Sequence, residues 1–245
     1  MIRVENVAIA FDGVPVLKDV SLEVPAGSTL GIVGPGGGGK SVLMKLLCGL
    51  ITPDEGRVVI DGQNLAELDS EGLAAMRSRC GMLFQNFALF DFMTVRENVG
   101  FPLEQAGETS PEEIDARVTA RLGEVGLAHA LEQMPREISG GMKRRVSLAR
   151  ATITEASVLL YDDPTAGLDP VSSSKIFALI GAQHRVRETT AIVVSHDIER
   201  MTAVCDRYML LADGGVHFTG SLEEARNASG SMMRAFFQGP DGGAG

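Results

Sequence analysis

Along the chain, short and almost purely apolar runs alternate with longer stretches in which apolar residues recur at helical spacing. The runs fall at 2–10, 28–33, 58–60, 81–84, 158–161, 190–194 and 208–212. Several lack a polar face, which is how parallel strands covered on both sides read. The stretches between them predict helices, so the pattern is that of an α/β protein with a mostly parallel sheet. From about 86 to 154 strand signals vanish, and that segment reads as a helical subdomain inserted into the core. One helix there declares its start: Ser110 as N-cap, Pro111 in the first turn and Glu113 completing a capping box. Ile114, Val118, Leu122 and Val125 follow at helical spacing. The α/β core then comprises 1–85 and 155–220, the insertion 86–154, and the end of the chain, 221–245, a helix and a flexible glycine-rich tail.

Composition narrows the class. With 44% hydrophobic and 22% charged residues over 245 positions, the chain can bury a sizeable core. A net charge of -10 argues against nucleic acid as a partner. The basic run Lys143-Arg144-Arg145 reads as the solvated face of a helix. Cys48, Cys80 and Cys205 are odd in number and lack CxxC spacing, so free thiols in a reducing compartment are expected, each a small core residue. "MIRVENVAIAF" enters an alternating strand pattern at once, which predicts no secretory or transit peptide. No apolar run reaches the ~20 residues that span a bilayer. A mean hydropathy of +0.12 with few aromatics hints at a covered partner surface.

"GPGGGGKS", Gly34 to Ser41, follows an apolar strand and opens the helical run "SVLMKLLCGL". Glycines at Gly34, Gly36, Gly37, Gly38 and Gly39 let backbone N–H groups turn inward around a phosphate, and the helix N-terminus adds its positive end. A lysine here, Lys40, reaches β- and γ-phosphates, and the Ser41 hydroxyl ligates Mg²⁺. This loop explains a second oddity, "VLLYDDPTAGLDP", where a buried strand ends on two adjacent acids. Asp162 can face Mg²⁺ and so stay ionised, while Asp163 lies where a carboxylate orients the attacking water.

A phosphate loop alone leaves kinases, GTPases and transport ATPases open. "EISGGMKRRVSLARA" narrows them, because Ser139, Gly140 and Gly141 open a helix and form a second anion site. With this segment the chain resembles the ATP-binding cassette (ABC) family over about 2–218, with nearly every family motif in order. The resemblance implies a RecA-like core, ATP and Mg²⁺ as cofactors, and a head-to-tail homodimer. In such a dimer the Ser139 helix of one copy covers the γ-phosphate held by the other. It implies that Gln85 in "MLFQN" senses Mg²⁺ and water, that Asp169 in "AGLDP" lies at the dimer contact, and that His196 in "VVSHD" touches the γ-phosphate. It also sets Phe11 against adenine and Val42 beside the α-phosphate. His129, His184 and His217 match no motif and are expected to be structural or superficial.

Finer features point to a subfamily. "ALFDFMTVRENVGFPL" follows Gln85 where a permease would dock, with Phe87, Leu89, Phe90, Phe92 and Met93 as a greasy groove for a partner helix. With Met142 after the glycines, this resembles ATPase subunits of Mla/Mce-type phospholipid transporters. That implies permease subunits, an MCE-domain lipid-binding protein, and a peripheral place on the cytoplasmic face of the inner membrane. Amino-acid or drug cargo, or a slow nucleotide-gated clamp, are the alternatives. Three positions depart from the family: Asp163 where Glu is usual, Val42 where Thr or Ser is usual, and Met142 where Gln is frequent. The shorter carboxylate at 163 withdraws its oxygens by ~1.5 Å, one C–C bond, and predicts slow hydrolysis.

Overall fold

The computed structural model describes residues 1–107, 110–228 and 232–238. The expectation of a flexible tail falls at 239–245, outside the described residues. The chain order begins β1 (Ile2–Phe11), β2 (Val14–Val24), β3 (Thr29–Val33), α1 (Lys40–Leu47), β4 (Glu55–Ile60) and β5 (Gln63–Asn64). It continues with α2 (Ser70–Ser78), β6 (Cys80–Leu83), α3 (Val95–Ala106), α4 (Pro111–Glu124) and α5 (Gly140–Thr152). The last elements are β7 (Val158–Asp162), α6 (Pro170–Arg187), β8 (Thr190–Val194), α7 (Ile198–Met201), β9 (Arg207–Ala212), β10 (Gly215–Ser221), α8 (Leu222–Asn227) and α9 (Met232–Gln238).

The strands form two sheets rather than one. A six-stranded sheet runs β10-β9-β3-β8-β7-β6, parallel except for the edge strand β10, which is antiparallel to β9. β1 and β4 join a separate antiparallel sheet in the order β2-β1-β4-β5. In β1, Ile2, Val4, Val7 and Ile9 are buried on one face only, as suits an antiparallel sheet with one covered side. β2 and β10 carry too many exposed polar positions to register as apolar runs.

Inside the parallel sheet neighbouring residues face opposite layers. Leu160, Ile192 and Met209 pack toward the antiparallel sheet and α1, together with Leu17, Val20, Leu43 and Leu47. Leu159, Tyr161, Val193 and Tyr208 pack on the other face against Ile176, Phe177 and Ile180 of α6. Both faces are covered, which is why these strands read as unbroken apolar runs.

Helices α3, α4 and α5 enclose a third cluster around Val99, Val118, Leu122 and Val146. α5 belongs to two clusters at once, since Leu148 and Ala151 pack with the parallel sheet while Val146, Ala149 and Ile153 pack with α3 and α4. β6 runs so close to α5 that a Cβ at Gly81 would collide with the Ala151 carbonyl. At the start of α4, Ser110 Oγ accepts from the Glu113 N–H at 3.3 Å. The expected reciprocal half is missing: the Glu113 carboxylate pairs with Arg117 at 2.7 Å instead. No helix among the described residues is long and apolar enough to cross a membrane.

Candidate functional site

Because β3, β8, β7 and β6 are neighbours in one parallel sheet, the loops leaving their carboxyl ends meet on one edge. Those loops carry Gly34–Gly39, Ser195–His196, Asp162–Asp163 and Gln85. They enclose a cavity of about 390 Å³ lined by Gly36 to Val42, Gln85, Asp162, Asp163 and His196, with Val16 and Val194. The loop is wedged between the two sheets: Gly39 has φ +95°, and a Cβ there would collide with the Leu17 side chain of β2.

Lys40 folds back onto its loop, with Nζ donating to the carbonyls of Gly34 at 2.8 Å and Pro35 at 2.7 Å. Burial pulls its ammonium below the ordinary value, while Asp162 and Asp163 oppose that shift. The Asp162 carboxyl is raised, first by burial and further by Asp163; a hydrogen bond with Ser41 and the charges of Lys40 and Lys45 counter this. A hydroxyl paired with a desolvated carboxylate is a hard oxygen donor set, which fits Mg²⁺. The remaining ligands of such an ion would come from nucleotide and water, since no cluster of three or more His, Cys, Asp or Glu side chains suits a metal among the described residues.

Asp163 takes a left-handed backbone, φ +47°, with its N–H donating to the Val194 carbonyl at 2.8 Å. Its carboxylate accepts from Ser195 Oγ at 3.3 Å, and Ser195 Oγ in turn accepts from the Asp197 N–H at 3.1 Å. Ser195 is fully buried and was not singled out from sequence. His196 is exposed on the cavity and also lines a second cavity of about 340 Å³ that reaches Phe236 and Phe237.

Other expected site residues lie apart from this cavity. Ser139 caps α5, its Oγ accepting from the Met142 N–H at 3.3 Å, and Gly140 and Gly141 form the first turn behind it. Asp169 caps α6, accepting from Val171 N–H at 2.9 Å, Ser172 N–H at 3.0 Å and the Ser172 hydroxyl; these bonds hold its carboxyl below the usual range. Phe11 ends β1, 46% exposed, outside the cavity lining. His184 stands 3.4 Å from Thr29 Oγ1 and His217 3.0 Å from the Ala212 carbonyl, both structural contacts.

The apolar segment after Gln85 is not one open groove. Leu89 packs against the cluster of α3–α5, and Phe90 sits against Phe92 and Phe101 with ring centroids 5.7 and 4.9 Å away. Phe87 and Met93 are half-buried, which leaves Phe92, 75% exposed, as the residue presented outward. The buried Asn98 shapes this loop, donating to the carbonyls of Phe90, Met93 and Thr94, each at 3.0 Å.

A further sequence expectation fails. The run Lys143-Arg144-Arg145 is not a solvated face: Arg144 is 1% exposed, its guanidinium spent on backbone carbonyls, and Arg145 donates to the Val125 carbonyl at 2.9 Å.

Known proteins resemble the chain over most of its length. The sequence model of the family described as ABC transporter matches residues 17–166. The methionine import ATP-binding protein MetN of Caulobacter vibrioides is 42% identical over 212 residues, covering 86% of this chain but 64% of MetN. The chain thus spans less than two thirds of the length of that relative. The chloroplastic protein TRIGALACTOSYLDIACYLGLYCEROL 3 of Arabidopsis thaliana is 37% identical over 256 residues, 98% of this chain and 74% of that protein. A solved dimer of the ATP-binding cassette MJ0796, in a post-hydrolysis state with ADP and Pi, matches with a TM-score of 0.85 and 32% identity. That match covers 91% of this chain and 99% of the other.

Proposed function

The chain belongs to the ABC transporter family, and from that premise we propose that it is the ATP-binding and ATP-hydrolysing subunit of a membrane transporter. The observation that carries this reading is the single cavity in which the glycine loop, Lys40, Ser41, Asp162, Asp163, Gln85 and His196 converge. In it the loop N–H groups and Lys40 grip the terminal phosphates, exchanging Lys40's carbonyl bonds for phosphate oxygens. Ser41 and Asp162 hold Mg²⁺, whose chemistry when bound is to neutralise charge on the phosphates. Asp163 orients and polarises the attacking water, held by Ser195, and His196 faces the transferred phosphoryl group. The Ser139 end of α5 lies outside its own cavity and supports a head-to-tail pair in which that end serves a second copy, with Asp169 at the contact. The similar cassette solved as a dimer with ADP and Pi supports pairing of two copies. On this reading the subunit sits on the cytoplasmic face of the inner membrane beneath permease subunits, with Phe92 toward them.

On cargo, the methionine-import relatives favour the amino-acid alternative over phospholipid, and they lend nothing to an MCE-domain partner. The lipid reading keeps one support, the Arabidopsis relative that bears a glycolipid's name and matches nearly the whole chain. Purifying the chain with its membrane partners decides between them. A permease pair that takes up an amino acid on addition of MgATP sustains the first; an MCE-domain partner and lipid movement sustain the second. Absence of ATP turnover in the assembled complex sinks the hydrolase and leaves a nucleotide-gated clamp.

A further inference from the structure

We propose that Arg144 is a positioning residue that binds the Gln85 loop, the turn after Asp163 and the Ser139 helix into one moving body. The proposal rests on the ATPase reading of the cavity. Its guanidinium donates to three carbonyls from two separate segments: Phe84 at 3.0 Å, Gln85 at 2.9 Å and Ala166 at 3.2 Å. The Ala166 N–H itself donates to the Asp163 carbonyl at 3.1 Å, so the turn Arg144 grips is closed on Asp163. The cation also lies 4.5 Å over the Phe87 ring. It enters none of the ion pairs among the described residues, although the charges of Asp162 and Asp163 act on it.

A fully desolvated cation without a partner carboxylate is unfavourable unless its donors are satisfied. Here backbone carbonyls accept from both terminal nitrogens, although Nε is buried without a partner, and a planar fork of fixed donors suits carbonyls arriving from different directions. The side chain issues from the second turn of α5, five residues beyond Ser139. α5 reinforces the same grip further along. Arg150 donates to the carbonyls of Ala88 at 2.7 Å and Phe87 at 3.0 Å, and Ser147 Oγ donates to Phe87 at 2.9 Å. Phe87 and Ala88 both take left-handed backbones, φ +58° and +51°, a strained pair that persists only when surroundings hold it. Gln85 therefore cannot shift relative to the Ser139 helix without breaking these bonds. Lys40 and its loop make none of them, so phosphate binding should not depend on Arg144.

Arg144→Lys, Gln85→Ala and the double variant test this, with wild type alongside. The expected result for Arg144→Lys is a kcat lowered about tenfold or more at a KM for MgATP within about threefold of wild type. In the Gln85→Ala background, Arg144→Lys should add less than about a threefold loss, because both act through one position. Penalties that multiply, or a lowered Tm with full kcat per folded molecule, would make Arg144 merely structural and overturn the proposal. A second readout does not need turnover: Asn86→Cys, exposed beside Gln85, carries an environment-sensitive fluorophore. Its response to MgATP should be present in the parent and lost in Arg144→Lys at unchanged ATP affinity; an equal response in both overturns the proposal. Wild type that binds MgATP without hydrolysing it sinks the ATPase reading alone, and the fluorophore still decides Arg144.

Discussion

At residue scale, Asp163 shows how backbone and side chain share a task. A left-handed φ is tolerated by Asp more readily than by most residues, because its short carboxylate bonds locally. Here the carboxylate instead accepts a long-range bond from Ser195 Oγ. Asp163→Glu extends the carboxylate by ~1.5 Å toward the cavity. Turnover should rise, by up to about 100-fold if about 1 Å of misplacement is what now limits it. Steady-state phosphate release checks this, and an unchanged or lower rate would dismiss the short-carboxylate argument. Gly39→Ala should weaken MgATP binding, since the new Cβ must share space with Leu17 at a φ of +95°; titration with a fluorescent ATP analogue reads the loss. The glycine loop was legible because its residues are consecutive along the chain, whereas Asp162 and His196, whose cavity neighbours lie far off in sequence, were read from their motifs and the family resemblance. Arg144 and Ser195 were not. Their partners lie 59 and 32 positions away, and a backbone carbonyl leaves no trace in residue identity.

At the scale of elements, legibility followed burial. β3, β7 and β8 are buried at every position and could be read directly, whereas β2 and β10 alternate with exposed polar residues and were missed. Between β6 and β7 strand signals vanish from the sequence, and α3 to α5 there pack a hydrophobic cluster of their own. Leu122 of α4 is fully buried there. Leu122→Ala should destabilise the chain by about 2–5 kcal/mol, the range for a Leu-sized cavity. Urea unfolding followed by circular dichroism measures it. The start of α3 is closed by Thr94 and Glu97 in a reciprocal capping box, with the Thr94 N–H 2.6 Å from the Glu97 carboxylate. Thr94→Ala should remove about 1 kcal/mol by the same assay.

For the whole molecule, the sequence pattern conveyed an α/β fold with a mostly parallel sheet, and it concealed the second sheet because antiparallel pairing partners are set by register, not composition. The expected free thiols are buried or half-buried, and burial pushes Cys48 and Cys80 up to about 12 and Cys205 higher still. All three should therefore react slowly with a disulfide reagent in the native chain and promptly in denaturant. Acid should destabilise the fold through Glu155, whose carboxyl is lowered first by its hydrogen bond with Arg187. With a folded value below the unfolded one, the contribution is present at neutral pH and lost as pH falls through the lowered value. Melting temperature followed down through the carboxylate range should fall, and Glu155→Gln should flatten part of that fall. The arginine grip of α5 has one more outcome, in proteolysis. Arg144, Arg145 and Arg150 make this helix one of the most basic segments of the chain, yet each of the three guanidinium groups is engaged with backbone oxygen. Trypsin, which must draw the basic side chain into its own pocket, should spare the bonds after these three arginines and nick exposed basic positions elsewhere first, and fragment masses from a brief digestion would record that order.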